Sequence, residues 1–188
     1  MIHDAADLER VFAEQLRDVA KSLSDLGAEF MLIGGLAVGI WSEPRATKDA
    51  DLSVHVLAAP ERVRDALALA GLEVTRGDLS RALEHGEAVR LRRAGRSAEP
   101  IVVDLLFAIT AFEIEALRRR RDVAVLGVEL PVAIPEDLFV FKIIAGRPQD
   151  LADAAVLLDL HGKDFDVERV RRWCGEFGVE ERLSAFSL

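Results

Sequence analysis

Asp49 and Asp51 stand two positions apart in the run DADLSVH, and Asp104 stands alone inside IVVDLLF. Side chains two apart in an extended strand leave from the same face. The carboxylates of Asp49 and Asp51 can therefore converge on one cation. Asp104 interrupts an apolar strand, where an unpaired buried carboxylate is costly, so it needs a partner: an arginine or a metal ion. A neighbouring strand carrying Asp51 would bring the three together. Three hard oxygen donors suit Mg2+ or Mn2+ sharing its site with phosphate oxygens. Two such ions can clamp the attacking and leaving oxygens of an in-line displacement. Phosphoryl and nucleotidyl transfer need mainly this positioning and charge neutralisation. An Asp-x-Asp pair alone says little in a chain with 33 acidic residues, so its surroundings must decide.

Those surroundings include Gly34-Gly35, set between an apolar stretch and the start of a helical one. Glycine lets the backbone approach a ligand closely. The free N–H groups of a helix start favour an anion. A strand, a Gly-Gly turn, a helix start and an Asp-x-Asp strand thus follow in order. One element offers phosphate binding and the next offers metal binding.

Ile33-Gly34-Gly35-Leu36-Ala37, followed by Arg45-Ala46-Thr47-Lys48-Asp49-Ala50-Asp51-Leu52, resembles the nucleotidyltransferase (polymerase-β-like) superfamily. The R-x-T-x-D-x-D wording after Gly-Gly is most similar to the AbiEii-type toxin nucleotidyltransferases. The resemblance is specific over residues 29–57 and looser over residues 29–160.

A second segment, FKIIAGRPQDLAD (residues 141–153), resembles the AbiEii-type pattern of a lysine, a small-residue spacer and R-x-x-D-x-x-D. The residues themselves allow ordinary helix chemistry: Asp150 in a first turn suits the helix dipole, and Arg147 can pair with it. The resemblance implies nucleotide binding by Lys142 and a catalytic carboxylate at Asp150 or Asp153.

Together these imply an enzyme moving a nucleoside monophosphate from an NTP to an acceptor. Asp49, Asp51 and Asp104 would hold Mg2+ or Mn2+, with Asp104 also a candidate base. Gly34 and Gly35 would cradle the triphosphate. Lys142 and Arg147, with Arg45, Thr47 and Lys48 of the first motif, would complete the nucleotide site. The resemblance implies a toxin acting on RNA such as the tRNA 3′ end, with a cognate antitoxin as partner. Alternatives are an antitoxin-type minimal nucleotidyltransferase adenylylating a partner protein, modification of a small molecule, and a non-catalytic nucleotide-binding module.

The elements that must position these residues follow from periodicity. Apolar residues from Leu8 to Leu26 recur at three- and four-residue steps and predict a helix over 4–26. Strands are expected at 29–33, 50–57, 87–93 and 101–107, with a hairpin of 123–126 and 129–133 around Gly127. Helices are expected at 36–41, 60–70, 111–120, 135–145, 148–160 and 167–177; Pro60, Pro135 and Pro148 suit first helical turns. The fold class is α/β (α+β): a small mixed sheet flanked by helices, then a helical C-terminal part. The domain reading is a core over 1–134 with its N-terminal helix, and 135–188 packed on it.

With 51% apolar residues in 188, the chain can bury a real core. No apolar run reaches the roughly 20 residues of a membrane span. Cys174 is the only cysteine, which excludes an internal disulfide and a cysteine zinc cluster. With no signal-peptide pattern at the start, a cytoplasmic location is expected. The net charge of −9 opposes general nucleic-acid binding. Arginines are nevertheless grouped at Arg90, Arg92, Arg93 and Arg96, and at Arg118 to Arg121. Each group reads as a solvated surface or, with an RNA acceptor, as part of its binding face. His55 shares the strand face of Asp49 and Asp51. Trp41 and Trp173 read as packing residues.

Overall fold

The computed structural model describes residues 5–43, 49–94 and 102–188. The first helix, α1 (Ala5–Asp25), has a strongly one-sided pattern. Phe12, Leu16, Val19 and Leu23 are buried on its inner stripe. Then come β1 (Glu29–Ile33), α2 (Gly34–Trp41) and β2 (Asp49–His55). Leu52 and Val54 of β2 are buried on one face, while Asp49 and Asp51 leave from the other.

Next are α3 (Pro60–Leu69), β3 (Leu72–Arg76), α4 (Leu79–His85), β4 (Ala88–Arg93) and β5 (Val102–Phe107). β3 and α4 are elements that periodicity does not predict. β3 is a five-residue edge strand with one buried residue, Leu72, and so carries almost no alternating pattern. α4 has seven residues and is preceded by Asp78, whose carboxylate caps the Arg81 N–H at 3.0 Å. The chain continues with α5 (Ala111–Arg119), then the hairpin β6 (Arg121–Val125) and β7 (Val128–Val132). Leu126 and Gly127 both have positive φ at the hairpin tip, as a tight two-residue turn requires. Last come α6 (Pro135–Ala145), α7 (Pro148–His161) and α8 (Val167–Glu176), with short 3-10 turns at Gly162–Asp164 and Glu180–Ala185.

The seven strands form one mixed sheet in the order β3-β4-β5-β2-β1-β7-β6. Two pairings bring distant parts of the chain together: β2 runs parallel to β5, and β1 parallel to β7. α1, α3 and α4 pack alongside one another, with α3 on β3 and α4 on β4 and β5. α2 packs on β1 and β2, and α6 and α7 close over α2. The buried core is continuous from α1 through the sheet to Leu157 and Trp173.

Part of the Arg118–Arg121 group joins this packing rather than forming a solvated face. Arg119 pairs with Glu136 at 2.8 Å, and Arg120 lies 3.6 Å from Glu29. Arg169 of α8 reaches Glu115, Glu136 and Asp137 at 2.6 Å each, tying α8 to α5 and α6. Trp41 and Trp173 are packing residues: the Trp41 indole N–H donates to the Ala133 carbonyl at 2.8 Å, and Trp173 is buried. Among the described residues, no helix is long and apolar enough to cross a membrane.

Candidate functional site

Register places the central carboxylates side by side. Asp51 lies directly across from Asp104 on the parallel strand β5, and from Ile33 on the antiparallel strand β1. The residue after Ile33 is Gly34, with φ +69°. A Cβ on Gly34 would stand 2.0 Å from Asp51 Oδ2. Only glycine meets both demands: a left-handed backbone, and a carboxylate pressed against the turn. α2 begins at this turn, and no side chain caps its N-terminus. Its first N–H groups are thus presented beside the Asp51 carboxylate.

The crowding has an electrostatic consequence. The Asp51 carboxyl is pushed up from 3.8 to about 6, first by burial, then by the charges of Asp104 and Asp49. Lys142 and Arg147 oppose this rise, so both lie within electrostatic reach. A half-buried carboxylate repelled by two others is a site short of positive charge.

Asp104 is held by Arg90, its register partner on β4. Arg90 Nε donates to Oδ1 at 2.8 Å and Nη2 to Oδ2 at 2.7 Å. This two-pronged geometry fixes the carboxylate plane. It also answers which partner Asp104 takes within the chain: an arginine. The sequence groups Arg90 with Arg92, Arg93 and Arg96, as a solvated surface or an RNA-binding face. The alternation of Val89 and Leu91 with Arg90 and Arg92 already sets Arg90 on one strand face, but the neighbour of that face appears only when β4 pairs with β5.

Lys142, Asp150, Asp153 and Arg147 form a second constellation where α6 meets α7. Gly146 makes the left-handed bend between the two helices. Lys142 Nζ lies 2.9 Å from Asp150 Oδ1 and 2.8 Å from Asp153 Oδ2, and all three are buried. Arg147 Nε donates to Asp150 Oδ2 at 2.5 Å, though its own side chain is 77% exposed. Burial alone would raise the Asp150 carboxyl, but the hydrogen bonds from Arg147 and Lys142 outweigh it and hold the group below the usual range. Lys142 is thus engaged by two carboxylates, whereas Arg147 reaches the surface near Asp51. His55 turns aside, its Nδ1 lying 3.4 Å from the Ala108 carbonyl.

Arg45, Thr47 and Lys48 lie outside the described residues, as does Arg96. Among the described residues, no three His, Cys, Asp or Glu side chains come together in a metal-ligating group. Asp104, an expected third ligand, has each of its oxygens hydrogen-bonded to Arg90. Asp49 and Asp51 still fit a hard divalent cation, because Mg2+ commonly takes only one or two carboxylates and completes its shell with water and substrate phosphates. The raised Asp51 carboxyl favours the same fit: a cation would relieve the repulsion that burial and Asp104 create.

Solved structures share the fold. ANT(2″)-Ia in complex with adenylyl-2″-tobramycin superposes with a TM-score of 0.56 at 13% identity, covering 89% of this chain and 97% of that one. An antigenic nucleotidyltransferase-like protein from Paracoccidioides brasiliensis gives 0.53 at 17% identity, covering 96% and 92%. The lincosamide antibiotic adenylyltransferase LnuA, lincomycin-bound, gives 0.51 at 12% identity, covering 78% and 96%. No curated protein sequence matches the chain at a significant level. The family described as "Nucleotidyl transferase AbiEii toxin, Type IV TA system" matches residues 16–183, nearly the whole chain. That extent of match makes the chain a member of the AbiEii nucleotidyltransferase family, and a nucleotidyltransferase by that membership.

Proposed function

We propose that the chain transfers a nucleoside monophosphate from an NTP to an RNA acceptor, such as the 3′ end of tRNA, in a metal-dependent reaction, and acts as a toxin restrained by a cognate antitoxin. The observation that carries the reading is the meeting of Asp51 and Asp104 at the Gly34 turn. The family description adds the toxin–antitoxin setting.

In this reading the N–H groups at the start of α2, from Gly34 and Gly35, hold triphosphate oxygens. Asp49 and Asp51 would hold the cation, which would supply positive charge against the triphosphate. Arg147, rather than the buried Lys142, contacts phosphate. Lys142 keeps Asp150 and Asp153 in place and adds positive charge near Asp51. The acceptor hydroxyl oxygen bonds to the α-phosphorus, the α–β anhydride bond breaks, and pyrophosphate leaves. The hydroxyl proton passes to Asp104. Each of its oxygens accepts one hydrogen bond from Arg90 and keeps a second lone pair for this step.

The test is incubation with each α-labelled NTP and total tRNA, comparing the wild type with Asp51→Asn. Label should appear in RNA with the wild type and be lost with the variant. Equal labelling by both would refute the assignment. A small-molecule acceptor is the second reading. It is favoured by a cleft of about 530 Å3 between α2 and α7, with Glu43 and Asp159 among its lining residues, which suits a cationic compound. Label in the small-molecule fraction with none in RNA would select it.

A further inference from the structure

β3 and β4 form one end of the sheet. On β4, Val89 and Leu91 are fully buried on the side of α4, so Arg90 and Arg92 leave from the opposite face. That is the face of Asp104, since Arg90 binds it. Arg76 of β3 lies across from Arg90 after an irregularity in the pairing. Two like charges at directly opposed positions destabilise a sheet unless an anion offsets them. Asp104 offsets one of them. Among the described residues the Arg76 side chain has no hydrogen-bond or ion-pair partner.

Arg90 faces two ways. Its Nε and Nη2 donate to Asp104, while Nη1 makes no bond among the described residues. A guanidinium has five N–H donors, so the Nη1 side is available to a second anion. Arg76, Ala88, Val89, Arg90 and Asp104 line a cavity of about 220 Å3, room for a phosphate group and water.

We propose that Arg76 and Arg90 form a subsite for a backbone phosphodiester of the RNA acceptor, so that the guanidinium holding Asp104 also anchors the strand whose hydroxyl proton Asp104 takes. The proposal rests on the RNA-acceptor reading above and adds where the acceptor lies. The NTP phosphates belong at the Gly34 turn and Arg147. The Arg76–Arg90 cavity lies on the far side of Asp104 from Asp51, across the strand order β4-β5-β2. An acceptor entering from the β3 edge meets the arginines first and the carboxylates second.

The experiment measures binding of a labelled single-stranded RNA of about 12 nucleotides by fluorescence anisotropy, without NTP, between about 50 and 200 mM KCl. The proteins are the wild type, Arg76→Gln and Arg76→Glu, each checked for an unchanged melting temperature. Arg76 is exposed on an edge strand, and the neutral variant covers the case in which Arg76→Glu misfolds. Arg76→Glu is expected to weaken binding about tenfold or more, and Arg76→Gln to reduce the salt slope by about one. In transfer assays Arg76→Gln should raise KM for tRNA and leave KM for NTP unchanged. Unaltered affinity and salt slope overturn the subsite, as does a wild type that binds no RNA. A loss that falls on KM for NTP also overturns it, because the phosphate held would be the nucleotide's. RNA that binds through Arg76 but is never labelled leaves the subsite standing and removes the transfer reading. Labelling indifferent to Arg76 does the reverse.

Discussion

Replacing Lys142 with methionine keeps most of the side-chain volume and removes one charge. That charge lies 2.9 Å from Asp150 and 2.8 Å from Asp153, whose side chains are only 2% and 4% exposed. Breaking a buried ion set by removing one partner costs about 3–5 kcal/mol, because the charge left behind is uncompensated. Here Asp150 retains Arg147, and Asp153 retains the Gln149 amide at 3.1 Å. The lower end, about 3 kcal/mol, is therefore expected. For a chain of this size each kcal/mol moves Tm by roughly 2–4 °C, so Lys142→Met should melt about 6–12 °C below the wild type at neutral pH. Thermal unfolding followed by circular dichroism reads this directly. Adding Asp150→Asn and Asp153→Asn removes the stranded charges with little change of shape and should recover most of the loss. A wild-type Tm for Lys142→Met, together with a KM for NTP raised tenfold, would refute the argument. It would mean that the ammonium acts on phosphate and not on the carboxylate pair.

Gly34→Ala places a Cβ 2.0 Å from Asp51 Oδ2 in a left-handed backbone. It should cost about 1–2 kcal/mol in backbone strain and, by displacing Asp51, at least about a hundredfold in kcat; a folded variant with wild-type turnover would contradict the close approach. In chelator, Asp51→Asn should stabilise the protein at pH 7.5 and not at pH 4. The folded chain keeps the Asp51 proton to about pH 6 and the unfolded chain only to 3.8, so the wild type loses stability as pH rises through that window. Roughly two pKa units correspond to about 3 kcal/mol; partial desolvation of the new amide leaves an expected gain of about 1–3 kcal/mol in urea unfolding. A gain equal at both pH values would show that charge is not the cause. Chelation should abolish transfer, and Mg2+ or Mn2+ should restore it; undiminished labelling of RNA in excess chelator would remove the cation from the mechanism.

Local pattern carried most of the architecture. The 3.6-residue stripe of α1, the alternation across β2 and the proline-led starts of α3, α6 and α7 are all written in neighbouring residues. β3 and α4 were not legible, because an edge strand with one buried residue and a helix of two turns lack the length over which periodicity shows. Gly34-Gly35, Asp49-x-Asp51 and the Lys142–Asp153 segment were visible as motifs. Their contacts were not visible: the resemblance implies nucleotide binding by Lys142, and the fold adds that its ammonium lies between Asp150 and Asp153.

The sequence by itself determined that two carboxylates share one strand face and that a glycine turn precedes that strand, since a two-residue period and a missing Cβ are local properties. It also determined that Asp104 needed a partner, since burial in an apolar run demands one. Only the tertiary structure decided that the partner is Arg90, and that Asp51 stands next to Asp104. Those contacts arise from pairing β5 between β4 and β2. Strand order is set by how distant segments bury their apolar faces together, and no short window of residues contains it.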